Sequence, residues 1–177
     1  MLLAFLGACF VAPTADDTDA ADVDLDLALC AELNAHRASR GLPAVPVAAE
    51  LMTVARYHVE DLAADGARGS SCNLHSWTNG DPRWTGCCYT ADNAQAACMW
   101  NKPREIASYD APGVEIAAHS HSGRIAPGVA VASWADSEPH RIVIENDESF
   151  AAATWRAMGC AIHDGYATAW FGELAAP

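Results

Sequence analysis

With 177 residues, half of them apolar, the chain is long enough for one folded domain with its own core and too apolar to be disordered throughout. Its formal charge of -13 repels phosphate backbones and excludes nucleic acid as an expected partner. Part of that charge lies in the head segment from Asp16 to Asp26 and says little about the folded surface.

Residues 1–12 form an apolar run too short to span a bilayer and resembling the apolar part of a secretory signal, although no Lys or Arg precedes it. Within it, Leu6-Gly7-Ala8-Cys9 resembles a bacterial lipobox, which makes Cys9 the lipidation candidate. The alternative is an ordinary cleaved signal in which Cys9 is discarded. Residues 13–21 are rich in Thr, Asp and Ala without periodicity, and read as a solvated acidic tether. The expected organisation is therefore a signal or lipoprotein peptide and tether over 1–21, then a single domain over 22–177. The expected location is outside the cell, secreted or lipid-anchored on the envelope, and the only expected membrane contact is such an anchor.

Cysteine usage points to the same compartment. Apart from Cys9 there are six: Cys30, Cys72, Cys87, Cys88, Cys98 and Cys160. An even number suits a disulfide framework in an oxidising compartment. Cys87 and Cys88 are expected to take different partners, because a bridge between neighbours is strained. A zinc–thiolate site would need C-x-x-C pairs, and none is present at useful spacing.

The pattern predicts a first helix over 22–40, stopped by Gly41 and Pro43. A second helix is expected to open at Pro46 and close at Gly66, with Leu51, Val54, Ala55, His58, Val59 and Leu62 on one side. His58 on that apolar side reads as a hydrogen-bonded core histidine. From Gly69 to Tyr109 periodicity disappears. This stretch holds four of the seven cysteines and the tryptophans Trp77, Trp84 and Trp100, and reads as an insert stapled by disulfides whose tryptophans cover the core and shape a cleft wall.

Val114 to Ala118 is a short apolar element containing Glu115, whose carboxylate needs partners because burying it alone is costly. Residues 119–123 read as a polar loop. Ala126-Pro127 starts a third helix with Val129, Val131 and Trp134 as packing residues. Pro139 is expected to stop it, leaving His140 beyond its C-terminal end, where the dipole would raise its pKa. Residues 142–144 read as extended and 145–148 as a turn. The final pieces, 155–162 and 166–171 around His163-Asp164-Gly165, carry a hairpin signature with His163 exposed at the tip.

In order, Leu33-Asn34-x-x-Arg37, Gly41-Leu42-Pro43, Leu51-x-x-x-Ala55-x-x-His58, His75, Glu115-Ile116-Ala117, Trp134-x-x-Ser137-x-x-His140, Met158-Gly159-Cys160 and Trp170-Phe171-Gly172 resemble the CAP superfamily over about residues 24–174. That family takes in cysteine-rich secretory proteins, wasp venom allergens, plant pathogenesis-related proteins and many bacterial secreted domains. The resemblance implies an α+β fold, an α-β-α sandwich in which helices flank a small antiparallel sheet. It also implies a cavity lined by two histidines and two acidic residues. His75, Glu115 and His140 match three of the four. The fourth falls at or near Ser137, with Glu138 close by, so Ser137 and Glu138 are secondary cavity candidates. The Cys/Trp-rich insert at about 69–109 departs from the minimal domain.

Two imidazoles and a carboxylate form a plausible zinc set with an open position. The expected function is an extracellular binding module, monomeric, whose cavity takes Zn2+ or another divalent metal. By resemblance its partner is a lipid, a peptide or a cell-envelope component. The alternatives are a structural polar cluster and a metal-dependent, peptidase-like hydrolase using the same cavity. A Ser-His hydrolase using Ser76 or Ser137 lacks a nucleophile motif.

Overall fold

The computed structural model describes residues 15–64 and 71–175. The lipidation candidate Cys9 and the end of the second helix at Gly66 lie outside them. The first helix, α1, runs Ala15–Ser39, so it takes in residues 15–21 that composition assigns to the tether. Leu29, Cys30 and Leu33 are its buried residues in the core, and Gly41 follows it with φ +73°.

Asn34 and Arg37 tie down the chain that follows. Asn34 Nδ2 donates to the Val45 carbonyl at 3.0 Å, and the Val45 N–H donates back to Asn34 Oδ1 at 2.8 Å. The buried Arg37 guanidinium donates to the carbonyls of Pro43 and Ile144 and to Asn146 Oδ1. These bonds satisfy a charge that would otherwise be costly to bury.

Pro46 does not open the second helix. Its carbonyl accepts the Met158 N–H at 2.8 Å and Val47 bridges Met158 in parallel, so 46–48 edges the sheet before α2 (Ala49–Ala64) begins. A proline is tolerated at such an edge because it has no N–H to leave unpaired. The α2 residues Leu51, Val54, Ala55, His58, Val59 and Leu62 are all buried, as their spacing predicts.

The sheet has order β1-β3-β2 and is antiparallel throughout: β1 (Gly113–His119), β2 (Ala157–His163) and β3 (Tyr166–Gly172). Asp164 and Gly165, at φ +44° and +81°, make the two-residue turn between β2 and β3, a backbone geometry that favours Asp-Gly. Both faces are buried, so the strands read as continuous apolar runs rather than alternating ones. Ile116, Met158, Cys160, Ala169 and Phe171 face α1, α5 (Pro127–Asp136) and α6 (Glu138–Glu145). Ala157, Ala161 and Trp170 face α2 and the aromatic residues of the insert. The result is an α-β-α sandwich. Gly159 permits its closest approach, since a Cβ there would overlap the backbone of Leu51 and Met52.

Three disulfides join all six domain cysteines: Cys30–Cys160, Cys72–Cys88 and Cys87–Cys98. The first pins α1 to β2 through the core. The other two staple the insert, and the adjacent cysteines do take different partners. The insert is not wholly irregular. Trp77 pairs with Cys87, and it contains two short helices, α3 (Ala96–Trp100) and α4 (Lys102–Ala107), too short to declare a helical period.

Three expectations around α5 need correction. Val129 is 61% exposed, and Ala130 packs in its place with Val131 and Trp134. Residues 142–144 are helical, within α6, not extended. His140 does not follow a helix end: α5 stops at Asp136, Ser137 is extended, and Pro139 lies in the first turn of α6. A proline early in a helix costs nothing, and Pro139 here starts a helix rather than stopping one. No described helix is long and apolar enough to cross a membrane.

Candidate functional site

Glu115 stands on β1 opposite Trp170, on the sheet face that meets α2 and the insert. Its side chain is fully buried, and both oxygens are taken. Oε1 pairs with His58 Nδ1 and Oε2 with His75 Nδ1, the latter at 2.8 Å. Burial works to raise the Glu115 pKa; the charge and hydrogen bond of His58, with those of His75, outweigh it and hold the carboxyl below its usual range. Glu115 is therefore a carboxylate acceptor.

His58 lies between two acceptors. Its Nε2 faces the Ser76 carbonyl at 3.1 Å while Nδ1 faces Glu115. An imidazole can donate at both nitrogens only when doubly protonated, so His58 and Glu115 form a buried ion pair. Trp77 stacks on the His58 ring at 4.2 Å and 8°, and Lys102 Nζ lies 5.2 Å from the Trp77 ring centre. Lys102 is itself buried and satisfied by the Thr85 carbonyl and Glu105.

His58 is thus a core histidine, as its apolar helix face suggests, and also the anchor of the site. A buried carboxylate on an apolar strand demands a partner, but nothing in the spacing says which residue supplies it.

His75 and His140 line one cavity of about 550 Å³ with Glu115 at its base. The insert supplies one wall through Tyr89, Ala96, Met99 and Trp100, and Val114, Ile142, Val143 and Phe150 supply the other. Asn73 and Asn93 add amide groups. Trp100 is 45% exposed, whereas Trp77 and Trp84 are buried and cover the core. The insert wall is positioned locally: the Tyr89 N–H donates to Ser76 Oγ at 2.9 Å, and Tyr89 Oη donates to Asn93 Oδ1 at 2.8 Å. Burial and then the Glu115 charge raise the Tyr89 pKa, so its hydroxyl stays protonated.

His140 sits in the first turn of α6, where the helix dipole disfavours a cation. Burial, and then repulsion from His75, lower its pKa, opposite to the direction expected for a helix C-terminus. Its Nδ1 meets Ser137 Oγ at 2.8 Å. Ser137 therefore orients His140 and does not line the cavity, and Glu138 is exposed and does not line it either. The insert residues Tyr89, Asn93 and Met99 carry no local signal for the cavity, because only the tertiary arrangement brings them to it.

Among the described residues, no three His, Cys, Asp or Glu side chains converge as a metal-holding group. Glu115 is not presented as a direct ligand, since both its oxygens face histidines. The donor chemistry instead fits a metal held by two imidazoles: Glu115 accepts from His75 Nδ1, which leaves the Nε2 lone pair of His75, while the Nδ1 contact to Ser137 leaves Nε2 of His140 free. Carboxylate–histidine contacts of this kind orient metal ligands from behind.

The family model described as the cysteine-rich secretory protein family, CAP, matches residues 30–171. The chain belongs to the CAP family. Solved structures share the fold. An extracellular SCP-domain protein from Bacillus anthracis superposes with a TM-score of 0.64 at 16% identity, covering 93% of this chain and 45% of that one. A cysteine-rich secretory protein from Staphylococcus aureus gives 0.54 at 14%, covering 86% and 39%. An outer surface protein from Borrelia burgdorferi gives 0.52 at 16%, covering 82% and 89%. This CAP chain therefore spans less than half the length of the first two. A search of curated proteins finds no match.

Proposed function

We propose that this CAP domain is an extracellular binding module whose ligand seats in the cavity between the insert and α6, in contact with His75 and His140. The observation that carries the reading is the commitment of both Glu115 oxygens to histidines. That arrangement builds a rigid floor under an amphipathic cavity and leaves no carboxylate free there to act as a general base. The disulfides and the extracellular or outer-surface character of the similar proteins support export. The cavity walls suit a ligand with an apolar body, of lipid or peptide type, and a polar head that meets Asn73, Asn93 and the imidazoles.

A divalent ion such as Zn2+ fits the same place, held by Nε2 of His75 and of His140, with Glu115 orienting His75. When bound, it supplies Lewis-acid coordination to an oxygen of the ligand. Ser137 holds the His140 ring, and Tyr89 keeps its proton and remains a hydrogen-bond donor.

Calorimetric zinc titration of the oxidised chain beside its His75→Ala/His140→Ala variant tests the metal. Loss of one zinc equivalent in the variant is the expected result. Equal heats from both proteins would remove the metal from this cavity. Hydrolysis of peptide or ester probes that depends on His75 would replace the binding module with the hydrolase.

A further inference from the structure

We propose that His119 and His121 form a second, surface cation site, separate from the cavity, that takes a nitrogen-preferring divalent transition ion, Cu2+ foremost. His119 ends β1 in register with Tyr166, and its ring stacks on the Tyr166 ring at 4.2 Å and 15°. His121 follows two residues later, in the turn after β1, and the two imidazole centres are 4.8 Å apart with an interplanar angle of 76°.

The ring-centre spacing has room for a shared ion. A metal about 2.0–2.1 Å from a ring nitrogen stands about 3.2 Å from the ring centre, and two rings at square to tetrahedral angles are then about 4.5–5.2 Å apart. The observed separation falls inside that interval.

The segment between the rings is fixed. The Ser120 N–H donates to the Gly165 carbonyl at 2.8 Å, the Ser120 and Ser122 hydroxyls meet at 2.8 Å, and Ser122 Oγ donates to the Arg124 carbonyl at 3.0 Å. Both histidines are exposed, and among the described residues neither ring has a hydrogen bond or ion pair, so its nitrogens are free for a ligand.

Two imidazoles without a carboxylate do not suit Ca2+ or Mg2+, which require oxygen ligands. Imidazole suits Zn2+, Ni2+ and Cu2+, and Cu2+ binds most tightly in that series. Water fills the remaining positions, so the site is open to a donor atom from a second molecule.

The test is Cu2+ titration of the full oxidised chain, followed by electron paramagnetic resonance and calorimetry. Three variants accompany it: His119→Ala/His121→Ala, His121→Ala alone, and the cavity variant His75→Ala/His140→Ala. The expected result is loss of one equivalent, or at least a tenfold weaker affinity, in both surface variants, with the nitrogen hyperfine signal of that equivalent gone. The cavity variant keeps that signal, which separates this site from the cavity metal. His121→Ala leaves the His119–Tyr166 stack in place and covers the case in which the double variant misfolds. If the folded His121→Ala protein binds the same equivalents with the same affinity and spectrum as the parent, the proposal is overturned.

Discussion

Replacing Cys30 and Cys160 together by alanine removes the one crosslink that passes through the core. It closes a loop of 130 residues, and the chain-entropy relation assigns such a closure about 5 kcal/mol at 25 °C. The two insert bridges shorten the free path across that loop by roughly two dozen residues, which changes the figure by about 0.2 kcal/mol because the dependence is logarithmic. Removing Cys72–Cys88, with a separation of 16, deletes only about 3 kcal/mol by the same relation. Cys30 and Cys160 are 1% and 0% exposed, so alanine there also leaves a small cavity, which adds to the cost. Against a typical domain stability of about 5–15 kcal/mol, the core variant is expected to lose a third or more of its total. Guanidinium unfolding of the parent and both variants measures the difference. A loss under about 1 kcal/mol for Cys30→Ala/Cys160→Ala, or a larger loss for the insert pair, refutes the entropic argument.

Other predictions concern the sheet, the buried pair and pH. Gly159→Ala drives a methyl into the α2 backbone, so it is expected to cost about 3 kcal/mol, the upper end for overpacking, and thermal melts showing no loss would mean α2 does not rest on Gly159. Glu115→Gln breaks a buried ion pair and is expected to cost about 3–5 kcal/mol at pH 7. Because the native Glu115 pKa is depressed, its contribution is present above the unfolded carboxylate pKa and disappears as pH falls through the native value, so the gap between parent and variant should close in acid; a gap independent of pH contradicts the ion pair. Asp26 has the opposite sign. Burial, against the Ile162 N–H and Arg56, raises its pKa from 3.8 to about 6. The native state then holds an extra proton between those values, and this group's contribution falls by up to about 3 kcal/mol as pH rises through that window. Asp26→Asn should therefore gain on the parent between pH 4 and pH 7 in denaturant unfolding, and a constant difference would refute the shift.

The sandwich was legible only through the family resemblance, whereas the residues themselves determined the disulfide state and the α2 packing face. Those depend on periodicity, on Gly and Pro punctuation and on cysteine count, all local or additive properties. The spacing of Leu51, Val54, Ala55 and Val59 could only be satisfied by a helix against a core, and Asp164-Gly165 could only be a tight turn between strands. His75, Glu115 and His140 were legible as site residues through the family resemblance, and the cavity they line is shared. Tertiary structure decided their roles. Whether Pro139 ends one helix or begins the next depends on what α6 packs against, since proline is compatible with either, and the lowered His140 pKa follows from burial and from nearby His75, neither of which the local sequence shows. The partner of Glu115 was likewise decided in space: β1 and α2 meet across the sheet face, bringing His58 to a carboxylate 57 residues away, a pairing that no local pattern encodes. Burial then makes that pairing obligatory, because an isolated charge there would be too costly to keep.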